Sequence, residues 1–141
     1  MATLLDTNVL SELLRAQPDE AVLAWFARQP TDSLFISDVT QAEMLLGARL
    51  LPAGKRRTQL QLALDGLFGE DFAGRILPFD GAAAALYAEV VAARRSAGRP
   101  ISQFDAQIAA IALSQRATLA TRNVSDFDGV GLTLSNPWEV G

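Results

Sequence analysis

Four short apolar runs, the first three each followed by a break and then by apolar residues at helical spacing, restrict this chain to a small set of folds. They are Thr3-Leu4-Leu5, Ser33-Leu34-Phe35-Ile36, Arg75-Ile76-Leu77-Pro78-Phe79-Asp80 and Thr118-Leu119-Ala120-Thr121, with a weaker fifth at Leu132-Thr133-Leu134. Runs of this length suit strands buried on both faces, and strands separated by helices build a parallel sheet covered on both sides. The intervening helices are expected over Asn8 to Arg15, from Pro18-Asp19 to Pro30, from Asp38 to Leu51, after Gly54, after Asp80, and from Ser102 to Gln115. Their limits follow from Ser and Asp caps at the start and from Gly or Pro at the end. The expected class is α/β, a three-layer α/β/α arrangement with a central parallel sheet of about five strands.

At 141 residues the chain is long enough for one domain with a real core, so residues 1–141 are read as a single unit. Half the residues are apolar and a fifth are charged, a globular balance. No apolar run approaches the ~20 residues that span a bilayer, and the N-terminal run stops at Asp6 without a basic region or cleavage site. The expected location is cytoplasmic, with no membrane contact.

Two residue types are missing. Without cysteine there are no disulfides, thiolate nucleophiles or Cys-ligated metals. Without histidine there is no Ser-His-Asp triad and no imidazole base or ligand. Acid–base or metal chemistry must run on oxygen atoms, which favours Mg²⁺ or Mn²⁺. The net charge of −4 argues against a basic nucleic-acid coat, but not against a nuclease with its acids gathered in one pocket. Bases cluster at Lys55-Arg56-Arg57, at Arg94-Arg95 with Arg99, and at Arg116 and Arg122. Solvated helix faces and a phosphate track both account for such clusters.

Four acids stand where strands hand over to helices. Asp6 and Asp126 follow strands, while Glu43 and Asp105 lie near helix starts. Each also has a local reading. Asp6 can cap the first helix, Thr40 to Glu43 and Ser102 to Asp105 fit capping-box spacing, and Asn123 to Asp126 fits a turn. Face geometry favours more. Glu43 shares a helical stripe with Val39, Leu46 and Leu50, and Asp105 shares one with Ile108, Ala109 and Ala112. Both acids are therefore expected on inward-tending faces, where a lone carboxylate is costly. Two carboxylates ~5 Å apart repel by about 3 kcal/mol at an effective dielectric of ~20. A divalent cation would remove that repulsion.

The ordered set resembles the PIN-domain nucleases, the toxin half of VapBC-type toxin–antitoxin pairs. Leu4-Leu5-Asp6-Thr7-Asn8 is similar to that family's opening motif, and Thr40 to Glu43 with Leu45 and Gly47 to its second. Asp105 with Ile108, Ala109 and Ala112 resembles the third, and Ala120-Thr121-Arg122-Asn123 with Asp126-Phe127 the fourth. Gly74 to Asp80 and Asn136-Pro137-Trp138 resemble the branch that includes FitB. Some relatives carry an acid where this chain has Asn123, so Asn123 and Asp126 both remain in view as the fourth site member.

The resemblance implies a sheet in the order 3-2-1-4-5 and metal-assisted hydrolysis of RNA to 5′-phosphate and 3′-hydroxyl ends. Asp6 and Asp105 would be the main ligands of Mg²⁺ or Mn²⁺, Glu43 would orient or deprotonate water, and Asp126 would complete the shell. Thr7, Asn8 and Thr121 would support them, and Arg122 would meet phosphate. Also implied are a homodimer, a transfer or ribosomal RNA loop as substrate, and a cognate antitoxin that brings its own DNA-binding end. Leu10, Leu13, Leu14, Leu46 and Leu50 are expected either to line the antitoxin groove or to be ordinary core. Two other readings stay open: a catalytically silent PIN-like binding module, and a receiver-like Mg²⁺-binding domain. The second wants a lysine after a late strand, and the one lysine, Lys55, lies in mid-chain.

Overall fold

The computed structural model describes residues 1–139. The apolar runs form strands β1 (Thr3–Leu5), β2 (Leu34–Ser37), β3 (Ile76–Leu77), β4 (Thr118–Ala120) and β5 (Leu134–Ser135). All pairings are parallel, and the order is β3-β2-β1-β4-β5, so the first strand is central. Between them run α1 (Thr7–Leu13), α2 (Glu20–Arg28), α3 (Asp38–Arg49), α4 (Lys55–Gly66), α5 (Gly81–Ser96) and α6 (Gln103–Ser114). A π-helical turn, Leu67–Asp71, extends α4, and a 3₁₀ turn, Val124–Phe127, follows β4. The α/β class and the strand order agree with expectation.

Alternation along the strands divides the core into two layers. Leu4 and Leu119 point to the side of Ile108, Ile111 and Phe127. Leu5, Ala120, Leu34 and Ile36 point to the opposite side, against Val9, Trp25, Leu64 and Phe68. Burying an aliphatic or aromatic side chain of this size contributes about 1.5–3 kcal/mol, so both layers hold the sheet. Helix α6 is almost wholly enclosed, with every residue from Ile108 to Ala112 buried. Its small alanines let α5 pack closely against it. Among the described residues no helix is long and apolar enough to cross a membrane.

Several local expectations are corrected. Strand β3 stops at Leu77, because Pro78 has no N–H to continue a ladder, and an edge strand tolerates that break. The Phe79 N–H instead donates to the Asp38 carboxylate at 3.2 Å. Helix α6 ends through a left-handed Arg116, with φ 52°, in place of the usual glycine. The Ala117 N–H then reaches the Ala112 carbonyl at 2.9 Å. Thr40 is not the cap of α3. Ser37 is, its hydroxyl accepting from the Thr40 N–H at 3.0 Å, and Thr40 lies fully buried one turn in. The helix therefore begins at Asp38, as expected, and not at Gln41 as a cap at Thr40 would require.

The stripe on α3 is corrected as well. Its buried residues are Val39, Thr40 and Ala48, whereas Leu46 and Leu50 are 56% and 73% exposed. The helix lays its Thr40–Ala48 side on the core and turns the Glu43–Leu46–Leu50 stripe outward. Leu10, by contrast, is core.

Ser37 gives the first prediction. Replacing it with Ala removes the cap of α3 and should lower stability by about 1 kcal/mol. Denaturant unfolding would read this as a lower midpoint at unchanged slope, and an unchanged midpoint would count against the capping role.

Candidate active site

Asp6 is the first residue beyond the central strand, and its backbone belongs to the sheet and to α1 together. Its N–H donates to the Ala120 carbonyl of β4 at 2.9 Å, and one carboxylate oxygen caps α1 through the Thr7 N–H at 2.8 Å. The other oxygen accepts from the buried Thr121 hydroxyl at 2.8 Å. Asn8 adds longer contacts, 3.5 Å to Asp6 and 3.4 Å to Thr121, and its side-chain oxygen accepts from the Arg122 N–H at 3.3 Å. Thr121 in turn accepts from the Asn123 N–H at 3.1 Å. The carboxylate of Asp6 is thus fixed on the β1–β4 boundary by groups from both strand ends.

Glu43 reaches the same place from α3. The Thr7 hydroxyl donates to its Oε1 at 3.0 Å and sits 2.9 Å from the Thr40 hydroxyl. Asp105 arrives at the first turn of α6, where Ser102 caps through the Asp105 N–H at 3.2 Å. All three acids line one cavity of about 490 Å³ at the carboxyl ends of β1 and β4, with Thr7, Asn8, Arg122 and Asn123 also in its wall. Ligand sites of open α/β sheets gather at this end. Asp126 does not line it. It lies exposed on the 3₁₀ turn, close enough for its charge to act on Asp105.

Electrostatics set Asp6 and Asp105 apart from ordinary surface carboxylates. Burial first, and then the charges of Asp105 and Glu43, raise Asp6 from 3.8 to about 6 against the opposing bonds from Thr121 and Thr7. Asp105, half-buried, is also raised, first by burial and then by Asp126, while Ser102 and the Arg94 guanidinium pull it down. The all-oxygen donor set suits a hard divalent cation. Among the described residues, however, no three acids are clustered tightly enough to hold an ion directly.

Three neighbours escaped the sequence reading. Glu12 is buried at the cavity wall, 3.1 Å from Arg15, and accepts the Asp19 N–H at 2.9 Å. Its position four residues after Asn8, on the same face of α1, was the available signal. Phe104 also lines the cavity, as does Trp138, which entered the sequence reading only as part of a branch motif.

Comparison with known proteins matches residues 3–131 to the PIN domain. The chain belongs to the PIN-domain family. It is similar to a VapC ribonuclease of Sinorhizobium fredii, 46% identical over 135 residues that cover 96% of each chain. It is also similar to Toxin FitB of Neisseria gonorrhoeae, 42% identical over 96% of this chain and 97% of that one. A solved structure of FitAB bound to a DNA fragment superposes with a TM-score of 0.93 at 40% identity, covering 99% of this chain and 97% of the other.

The raised value of Asp6 predicts a pH-dependent cost in the PIN domain without metal. Its protonated form contributes stability that is fully present below pH 3.8 and is lost as pH rises through about 6. A shift of this size corresponds to about 3 kcal/mol. Asp6→Asn removes the titration, so in EDTA its unfolding free energy should gain on wild type by up to about that amount between pH 4 and pH 7.5. Parallel pH profiles for the two proteins would contradict the assignment.

Proposed function

We infer that this PIN-domain protein is a divalent-metal-dependent endoribonuclease that acts as the toxin of a type II toxin–antitoxin pair. The observation that carries the reading is the meeting of Asp6, Glu43 and Asp105 around one cavity at the carboxyl end of the sheet. The relatives named as a VapC ribonuclease and as a toxin support it.

In this reading Asp6 and Asp105 would hold Mg²⁺ or Mn²⁺. The ion supplies Lewis acidity, lowering the pKa of water and offsetting charge on the phosphate. Thr121 and the Thr7 N–H keep Asp6 aimed into the cavity. The Thr7 hydroxyl occupies Glu43 Oε1, which leaves Oε2 to orient a water and take its proton. Asn8 holds the Arg122 backbone, and Arg122 meets substrate phosphate. Asn123 lines the cavity and Asp126 acts from just outside it, as a longer-range charge beside Asp105. Attack by water leaves a 5′-phosphate and a 3′-hydroxyl.

An unrestrained ribonuclease in the cytoplasm needs a mask, and the similarity to FitAB bound to DNA supports an antitoxin partner, which in this reading carries the DNA contact. A groove of about 780 Å³ between α1, α3 and α4, lined by Leu14, Met44 and Leu60, adjoins the acidic cavity and suits an apolar segment of that partner. Exposed Leu46 and Leu50 stand on α3 nearby. The toxin is a homodimer in this reading. Its net charge of −4 leaves little general attraction to phosphate, so selective cutting depends on a fitted feature such as a transfer or ribosomal RNA loop.

Purified protein should cleave RNA with Mg²⁺ or Mn²⁺ and stop in EDTA, and Asp6→Ala should be inactive. Robust cleavage in EDTA, or by Asp6→Ala, would sink the metal mechanism, and no cleavage under any condition would leave a silent binding module. The position of Asp126 yields a finer prediction. Asp126→Asn should lower kcat by no more than the ~10–100-fold typical of a group that only supports a ligand, whereas Asp105→Asn should lower it by more than that. Equal losses would place Asp126 among the direct ligands.

A further inference from the structure

The cavity that gathers the acids has an aromatic edge for which hydrolysis has no use. Phe104, Trp138 and Arg122 all line it. Phe104 is 52% exposed, and among the described residues the other large hydrophobics left open are Met1 and leucines. Nothing in α6 needs an apolar group there, since Ser102 supplies the cap and the residues from Ala106 inward supply the buried face. Trp138 packs against the core layer around Leu5, and the Arg122 guanidinium sits over its ring, 5.0 Å from the centroid. Arg122 forms no ion pair among the described residues, so its charge is held by a π face and stays unneutralised.

Two flat π systems and a planar cation at the mouth of a phosphate-cleaving pocket match the chemistry of unpaired nucleobases. Bases splayed out of a loop or single strand stack on aromatic rings and on guanidinium planes, whereas bases inside a duplex are already stacked on one another. A protein segment seeking apolar cover would find it instead at the aliphatic groove of Leu14, Met44 and Leu60. We propose that Phe104, Trp138 and Arg122 form a stacking platform for the unpaired nucleotides that flank the scissile phosphate, so that the site selects single-stranded or looped RNA by base stacking. The platform rests on the nuclease reading and adds the means by which its substrate is chosen.

The test measures binding in EDTA, where the proposed chemistry is stopped. Probes are a short fluorescently labelled single-stranded RNA of mixed sequence, the same backbone with abasic residues, and the corresponding blunt duplex. Wild type should bind the intact strand at least about fivefold more tightly than the abasic strand or the duplex, the lower end of what one stacked base contributes. Phe104→Leu keeps apolar bulk at an exposed position but removes the ring. It should weaken binding of the intact strand at least about fivefold, leave the abasic strand unchanged, and be rescued by Phe104→Tyr.

Equal binding of the intact strand by Phe104→Leu and wild type would overturn the platform. So would equal affinity of wild type for the three probes, or no measurable binding. Loss of a protein partner by Phe104→Leu with RNA binding intact would overturn it too, in favour of a protein-docking rim. The nuclease reading fails separately. Undiminished RNA cleavage by Phe104→Leu would remove the platform and keep the nuclease, while base-dependent binding by a protein that cuts no RNA would keep the platform and remove the nuclease.

Discussion

The hydrogen bonds around Asp6 join the sheet to the site. One residue closes the β1–β4 boundary with its N–H, caps α1 with one carboxylate oxygen and receives the Thr121 hydroxyl on the other. Each partner satisfies a donor that burial would otherwise leave orphaned, at a cost of about 1–3 kcal/mol. A neutral Asn could make much of this network. The charge is therefore not explained by architecture, and it is opposed by burial and by the neighbouring Asp105 and Glu43. Stability given up at a cavity makes that cavity the candidate functional site.

The same economy runs through the supporting residues. Thr7 shares its hydroxyl between Thr40 and Glu43, so the start of α1 positions the acid on α3. Asn8 bridges Asp6, Thr121 and the backbone at Arg122. These small polar groups create no ion pairs that would neutralise the acids. Of the cations in the cavity wall, Arg15 pairs with Glu12 and Arg122 rests on Trp138, and neither pairs with Asp6, Glu43 or Asp105 among the described residues.

Much of this could be read from the sequence because it depends on periodicity and on chain breaks. Leu4 and Leu5 announce a strand buried on both faces, and they do enter opposite core layers. Asp6 follows directly, so its place at the strand end needed no tertiary knowledge. Glu43 was harder. Its helical stripe looked inward because Leu46 and Leu50 are apolar, but the helix rotates that stripe to the surface, and Thr7 from another element holds the acid. Apolar residues left on the surface of a helix give the same pattern as apolar residues of a core. Phe104 and Trp138 were illegible for a related reason: their meaning comes from which cavity they border, and spacing along the chain does not encode that.

Arg94 shows how far the order around the site extends. It is buried near the end of α5 and has no carboxylate partner among the described residues. Its guanidinium instead donates to main-chain carbonyls, at 2.6 Å to Arg99, 3.0 Å to Asp126 and 3.1 Å to Asp128. A buried guanidinium is strongly penalised unless its donors are filled, so the carbonyls must stay where they are. The left-handed Gly98, with φ 71°, turns the chain after α5 and brings Arg99 back within reach. Arg99 then approaches Asp128 at 3.6 Å, a weak exposed contact on the outside of the same turn. The segment after β4 carries Asn123 into the cavity wall and Asp126 beside it. It is thus tied at its beginning by Thr121 and at its end by Arg94. A loop with a buried cation under it does not need a long strand or helix to hold its side chains in place, which is why a four-residue 3₁₀ turn suffices here.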